Sequence, residues 1–260
     1  RRHRRAAWHS VTTVWEPPVA WADNSRMQHG LLILPIAVPV LLWAAYHYPT
    51  DRHLPEPVGN LLLCFVFGMA ATEVSMALYT ALESVGLRLD AVGLAHTNSL
   101  ALFAYSMLAI GPFEEASKML PFLLFVIRFR AFDEPLDGII YASFIGLGYA
   151  AVENYFYLEY WSGWDAVARG FAGPVIHILF ASIWAYRVTI ARLKGSPIAG
   201  PAALGFLLSA GIHGLYDFLV LLQPVSALPI AAAMIAAIWI WRLRLMQRLH
   251  EDAVKGSDRP

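Results

Sequence analysis

The chain has 260 residues, equal numbers of basic and acidic side chains, 58% hydrophobic residues and a mean hydropathy of +0.53. Charged residues make up 15% of it, against about 25% in ordinary soluble domains, which excludes a water-soluble body and points to a polytopic membrane protein. A formal net charge of zero offers no basic surface to nucleic acid, and the single cysteine, Cys64, excludes an intrachain disulfide.

Residues 1–29 open on Arg1-Arg2-His3-Arg4-Arg5 and hold Trp8, Trp15 and Trp21 among polar residues and Pro17-Pro18. They read as a poorly ordered or interfacial tail, and without an apolar stretch before residue 30 they do not form a signal peptide as they stand. A spanning helix needs about 20 mainly apolar residues. The sequence predicts spans at roughly 30–48, 58–82, 98–127, 137–160, 170–193, 201–222 and 225–244. The fold class is therefore all-α: one transmembrane helix bundle of about seven to eight spans over 30–248, followed by a short polar tail at 249–260. Pro49, Pro55 and Pro57 mark the first loop, 83–97 the second, and Phe132 to Pro135 the third.

The run 98–127 is too long for one straight crossing. Thirty helical residues would extend about 45 Å, against about 30 Å of hydrocarbon. Gly111-Pro112 breaks it, because proline removes a backbone donor and clashes with the preceding turn. One kinked helix with a tilted or interfacial first half is expected, with a re-entrant hairpin as the alternative. Arg128 and Arg130, then Arg187, Arg192 and Lys194, then Arg242, Arg244 and Arg248 close the third, fifth and seventh spans. The positive-inside rule makes those ends, and the C-terminus, cytoplasmic. The opposite loops offer only Arg169.

Within the broken run lies Glu114-Glu115-Ala116-Ser117-Lys118. Ionisable side chains are costly in hydrocarbon and by default mark function there, although a buried ion pair locking two helices is the plainer reading. Glu153-Asn154 lies near the outer end of the fourth span, with Tyr149 and Tyr157 on the same face as Glu153 and able to satisfy it as a bundle residue. Gly146 and Gly148 permit close helix approach there. His177 lies near the outer end of the fifth span, where a lone histidine is often only a hydrogen-bonded packing residue. His213 and Asp217, four apart, share a face of the sixth, as a local pair or as two members of one site. At 1.5 Å per residue, Glu153, His177, His213 and Asp217 fall within about 15 Å of the outer face, level with Glu114 and Glu115. Independent structural pairs need not share a depth. Carboxylates and imidazoles at one level suit activation of water. Glu73, midway along the second span, stays unassigned: it pairs with the same cluster or steadies a helix contact.

Glu114-Glu115-x-x-Lys118, the stretch from Gly148 to Glu153-Asn154, His177 and His213-x-x-x-Asp217 resemble the four motifs of the PrsW family. That family belongs to the wider group of CAAX-type, or glutamic, intramembrane proteases. The resemblance covers about 98–222 and is specific as a set. It departs at Ala181, where relatives carry a small hydroxylated residue. It implies a bacterial plasma-membrane endopeptidase acting on a membrane-bound protein substrate, often an anti-sigma factor. On this reading Glu114 is the general base, His177 assists it, and His213, oriented by Asp217, donates to the oxyanion. Glu115 and Lys118 hold the charge balance, and Glu153 and Asn154 orient water or bind substrate backbone. No cofactor is expected. The alternative within the class is a zinc enzyme using His177, His213, Glu114 and Glu153, although HExxH is absent. The alternative outside it is a proton-coupled transporter, for which an internal repeat would be expected and none is visible.

Overall fold

The computed structural model of the chain describes residues 27–48, 55–157, 163–222 and 227–257, with backbone alone at 27–33, 157, 163–166 and 252–257. The tail at 1–26 with its tryptophans, Pro49 of the first loop and the side chain of Tyr157 lie outside the described part. Every described element is helical: α1 (Met27–His47), α2 (Val58–Ser84), α3 (Ala91–Thr97), α4 (Ser99–Tyr105), α5 (Gly111–Leu124), α6 (Pro135–Tyr157), α7 (Gly163–Leu193), α8 (Ala199–Leu222) and α9 (Ala227–Ser257). Five of them, α2 and α6 to α9, are long and apolar enough to cross a membrane. The predicted count of about seven adds α1, with its shorter apolar part Leu34–His47, and the run through α4 and α5.

Side-chain contacts give the relative directions. Asn60 of α2 bonds Tyr141 of α6, and Ser75 bonds Tyr149, so these two helices run parallel. Gly138 of α6 lies against Thr189 of α7, and Gly146 against His177, so α7 returns antiparallel. By the same test α8 opposes α7, with Gly205 against Trp184 and Ser209 at the Phe180 carbonyl, and opposes α5, with Ser209 at Glu115 and Gly214 against Gly111. The apolar stretches of α6 and α7 are 83% and 78% buried and that of α9 only 11%, so α6 and α7 form the centre and α9 the rim.

Between α4 and α5 the chain stays helical but widens to a π-turn at Ser106–Ile110. The Gly111 N–H reaches back five residues to the Ser106 carbonyl. Pro112 cannot donate, and the extra residue shifts the ladder around it. The expected interruption is thus present as a turn of different pitch inside a continuous helical path. The neighbouring glycine has a second task. A Cβ on Gly111 would lie 2.6 Å from the backbone nitrogen of Gly214 in α8. Lipid tails are as apolar as leucine and exert no squeeze, so membrane helices approach this closely only through small residues.

An apolar layer floors the polar region. Phe122 packs edge-on to Trp184 at 5.0 Å and to Phe132 at 5.9 Å, among the buried Ile139, Leu147 and Val188. Three sequence expectations shift in detail. Arg242, counted above with the basic ends, is only 1% exposed and donates to Ser182 at 2.9 Å and Ser143 at 2.8 Å, while Arg244 and Arg248 are exposed. The polar residues after 248 prolong α9 to Ser257 rather than ending it, with Gln247 bonding Glu251 one turn on. Helix α7 starts at Gly163, seven residues before the predicted span, because hydropathy alone stops at Arg169.

Candidate active site

The close crossing at Gly111 and Gly214 sets Glu114 and Glu115, one turn into α5, beside His213 of α8. The crossing at Gly146, where a Cβ would lie 2.9 Å from the His177 backbone, sets α7 equally close to α6. From these two contacts a single polar network grows inside the bundle.

Glu115 is its hub. The carboxylate is fully buried and accepts from Lys118 Nζ at 2.5 Å, His213 Nδ1 at 2.7 Å, Trp184 Nε1 at 2.9 Å and Ser209 Oγ at 2.8 Å. Four donors on two oxygens leave it no capacity for further chemistry. Lys118 Nζ also lies 3.0 Å from His177 Nδ1 and 5.0 Å from the centre of the Tyr149 ring. An ammonium group only donates, so Nδ1 accepts, and the imidazole proton sits on Nε2, which donates to Glu153 at 2.7 Å. Glu153 accepts a second bond from Arg169 at 3.2 Å. The Tyr149 hydroxyl, on the face of Glu153, donates instead to Ser75, and Ser75 to Ser117, tying α2, α5 and α6 together.

His213 donates from Nδ1 to Glu115, and its Nε2 faces Glu114 Oε2 and Asp217 Oδ2, each at 3.5 Å. Neither carboxylate oxygen has a hydrogen-bond partner, although both are buried. Glu114, His177 and His213 bring ligand-capable atoms within 4.8 Å of one another. Four carboxyl groups therefore share the cluster with two basic side chains, Lys118 and Arg169. The balance calls for added positive charge, as protons or as a metal ion. The side chains of Glu115, Lys118 and His177 have no exposure, whereas Asp217 is at 19% and Arg169 at 25%, so the cluster opens on the Arg169–Asp217 side.

The structure thus joins Glu114, Glu115, Lys118, Glu153, His177, His213 and Asp217 in one network. Asn154 is buried beside it at 3% exposure. Glu73 stands apart, exposed on the outside of α2. Three members escaped the sequence reading. Arg169 stands one residue before the predicted span, yet it precedes His177 by eight residues and so shares its face. Ser209 lies four residues before His213, and Trp184 seven after His177, again on common faces. Helical spacing from the histidines was the available signal for all three.

A family profile described as "PrsW family intramembrane metalloprotease" matches residues 56–242. Among curated proteins, the chain is similar to Protease PrsW of Oceanobacillus iheyensis, 27% identical over 222 residues, covering 83% of this chain and 94% of that one. It is similar to Protease PrsW of Geobacillus kaustophilus at 28% identity, covering 85% and 91%, and to Protease PrsW of Clostridioides difficile at 26%, covering 84% and 90%. No solved structure matches it. The matched span carries every residue of the network, and peptidase kinship stands against the transporter alternative. The chain belongs to the PrsW family of intramembrane proteases, built as a multi-pass helical membrane protein.

Proposed function

We propose that the protein hydrolyses a peptide bond of a membrane-bound protein, an anti-sigma factor or similar regulator, near the extracytoplasmic face, with Glu114 activating the water. One observation carries this reading: Glu114 Oε2 is buried, unpartnered and 3.5 Å from His213 Nε2, while the adjacent Glu115 is saturated. A carboxylate with a free lone pair beside an imidazole can take a proton from water as the oxygen attacks. As an imidazolium, with its Nδ1 proton held by Glu115 and its ring turned by Asp217, His213 donates from Nε2 to the developing oxyanion. Removing one such donor typically slows a reaction by about 10²–10³-fold. His177, fixed between Lys118 and Glu153, relays the proton towards the leaving amine. The exposed Arg128 and Arg130 follow the C-terminal end of α5, and the exposed Arg244 and Arg248 lie in the second half of α9, which supports a cytoplasmic assignment for those parts.

The family description names a metalloprotease, and the donor set favours metal as the second reading. Glu114 Oε2 has an unused lone pair, His213 Nε2 would supply a second in the neutral ring that keeps its proton on Nδ1, and His177 would join them by giving up its Nε2 proton and releasing Glu153. These three residues would hold the ion, with Glu153 in reserve. When bound, a divalent metal would acidify water and polarise the scissile carbonyl.

The test is cleavage of single-span proteins by purified protein in liposomes, with metal content measured on the same sample. Site-specific cleavage is expected, and its absence against a panel of candidates would contradict the reading. Stoichiometric zinc that leaves together with activity would select the metal form, and full activity without metal the form with Glu114 alone.

A further inference from the structure

Asn154 holds a side-chain amide that the folded chain leaves unused. The residue is 3% exposed, and neither Oδ1 nor Nδ2 has a hydrogen-bond partner. Its neighbour Glu153 accepts one bond on each oxygen, from His177 and from Arg169. Buried polar groups are nearly always paired, and folding alone gives no reason to carry two orphans on one side chain. The position is specific. The amide rests on Gly173, where a Cβ would lie 2.9 Å from Oδ1 and 3.1 Å from Nδ2, so only glycine leaves it in place. Gly173 is one turn before His177 on α7 and one turn after Arg169, on the side where the network opens.

The chemistry of the substrate supplies the missing partner. A spanning segment hides its N–H and C=O groups in its own helix. Once a turn opens for hydrolysis, those groups have no water to turn to within hydrocarbon. An amide side chain presents one acceptor and a pair of donors in a plane, which complements a peptide unit. A carboxylate would repel the carbonyl, and a cation could serve only that end.

We propose that Asn154 binds the main chain of the unwound substrate segment, Oδ1 accepting from a backbone N–H and Nδ2 donating to a backbone C=O, with Gly173 as its positioning residue. This rests on the peptidase reading above and adds to it how the open turn is held. Recognition of this kind reads the backbone and not the side chains, so it selects segments that unwind over segments of a given sequence.

The experiment uses a synthetic single-span peptide that wild type cleaves in liposomes. Single peptide bonds near the cut are replaced in turn by esters, each of which removes one N–H. Wild type should show one position at which the ester lowers kcat/KM by about tenfold, chiefly through KM, as expected for one lost hydrogen bond. Asn154→Ala should be slower by a similar factor on the all-amide peptide and indifferent to that ester. Gly173→Ala, which keeps Asn154 but displaces its amide, should behave alike and serves if Asn154→Ala fails to fold. A variant as ester-sensitive as wild type, or unchanged in kcat/KM, would overturn the proposal and leave the peptidase reading standing. A wild type inert towards every all-amide peptide, or equalled by Glu114→Gln, would overturn the peptidase reading and this inference with it.

Discussion

Glu114→Gln will leave the protein folded and reduce its peptidase activity to below about a hundredth of wild type. The substitution keeps volume and shape. At Oε2 it breaks no hydrogen bond, because that atom has no partner. What it removes is basicity, and general-base catalysis typically contributes about 10²–10⁴-fold. Thermal unfolding in detergent should differ little between the two proteins, and turnover on a cleaved single-span substrate should differ greatly. Retention of more than a tenth of wild-type turnover would remove Glu114 from the role of base and make Glu115 the next candidate.

Glu115→Ala will have the opposite signature, a large loss of stability. The side chain collects bonds from α5, α7 and α8 at once, through Lys118, Trp184, Ser209 and His213. Its removal strands the Lys118 ammonium at zero exposure. Breaking a buried ion pair from one side typically costs about 3–5 kcal/mol, because the remaining charge keeps its desolvation penalty without its partner. A sharply lowered Tm or loss of folded yield in detergent is expected. Adding Lys118→Met to Glu115→Ala removes the stranded charge and should recover part of the Tm without recovering activity. Wild-type stability in Glu115→Ala with activity abolished would mean that Glu115 works in the chemistry instead.

The contrast between the two adjacent glutamates shows where sequence reading reaches its limit. Charges in apolar runs are conspicuous, so Glu114, Glu115, Glu153, His177, His213 and Asp217 stood out together with a common depth. The division of labour between Glu114 and Glu115 did not, because it depends on the indole of Trp184 and the hydroxyl of Ser209. Neither residue is conspicuous in a membrane helix. In the sequence Arg169 reads as a loop charge because an arginine ends an apolar stretch, yet in three dimensions it donates to Glu153. The break at Gly111-Pro112 was legible from the covalent chemistry of proline, while its resolution as a π-turn depends on the packing of Gly111 against Gly214. Tyr149 shares a face with Glu153, as spacing predicts, but its hydroxyl reaches α2, and periodicity within one helix says nothing about the neighbour it will meet.

The most direct test of the central claim is to map the cut in a tagged single-span substrate by mass spectrometry after proteolysis in liposomes. Glu114 lies in the first turn of α5, Glu153, His213 and Asp217 in the second halves of α6 and α8, and His177 near the middle of α7, whereas the exposed Arg128 and Arg130 follow the other end of α5. The account predicts a cut in the extracytoplasmic half of the span or just outside it, favoured by Gly or Pro near the scissile bond that help the helix open. A cut in the cytoplasmic half would contradict the assigned sidedness and detach hydrolysis from the Glu114–His213 centre.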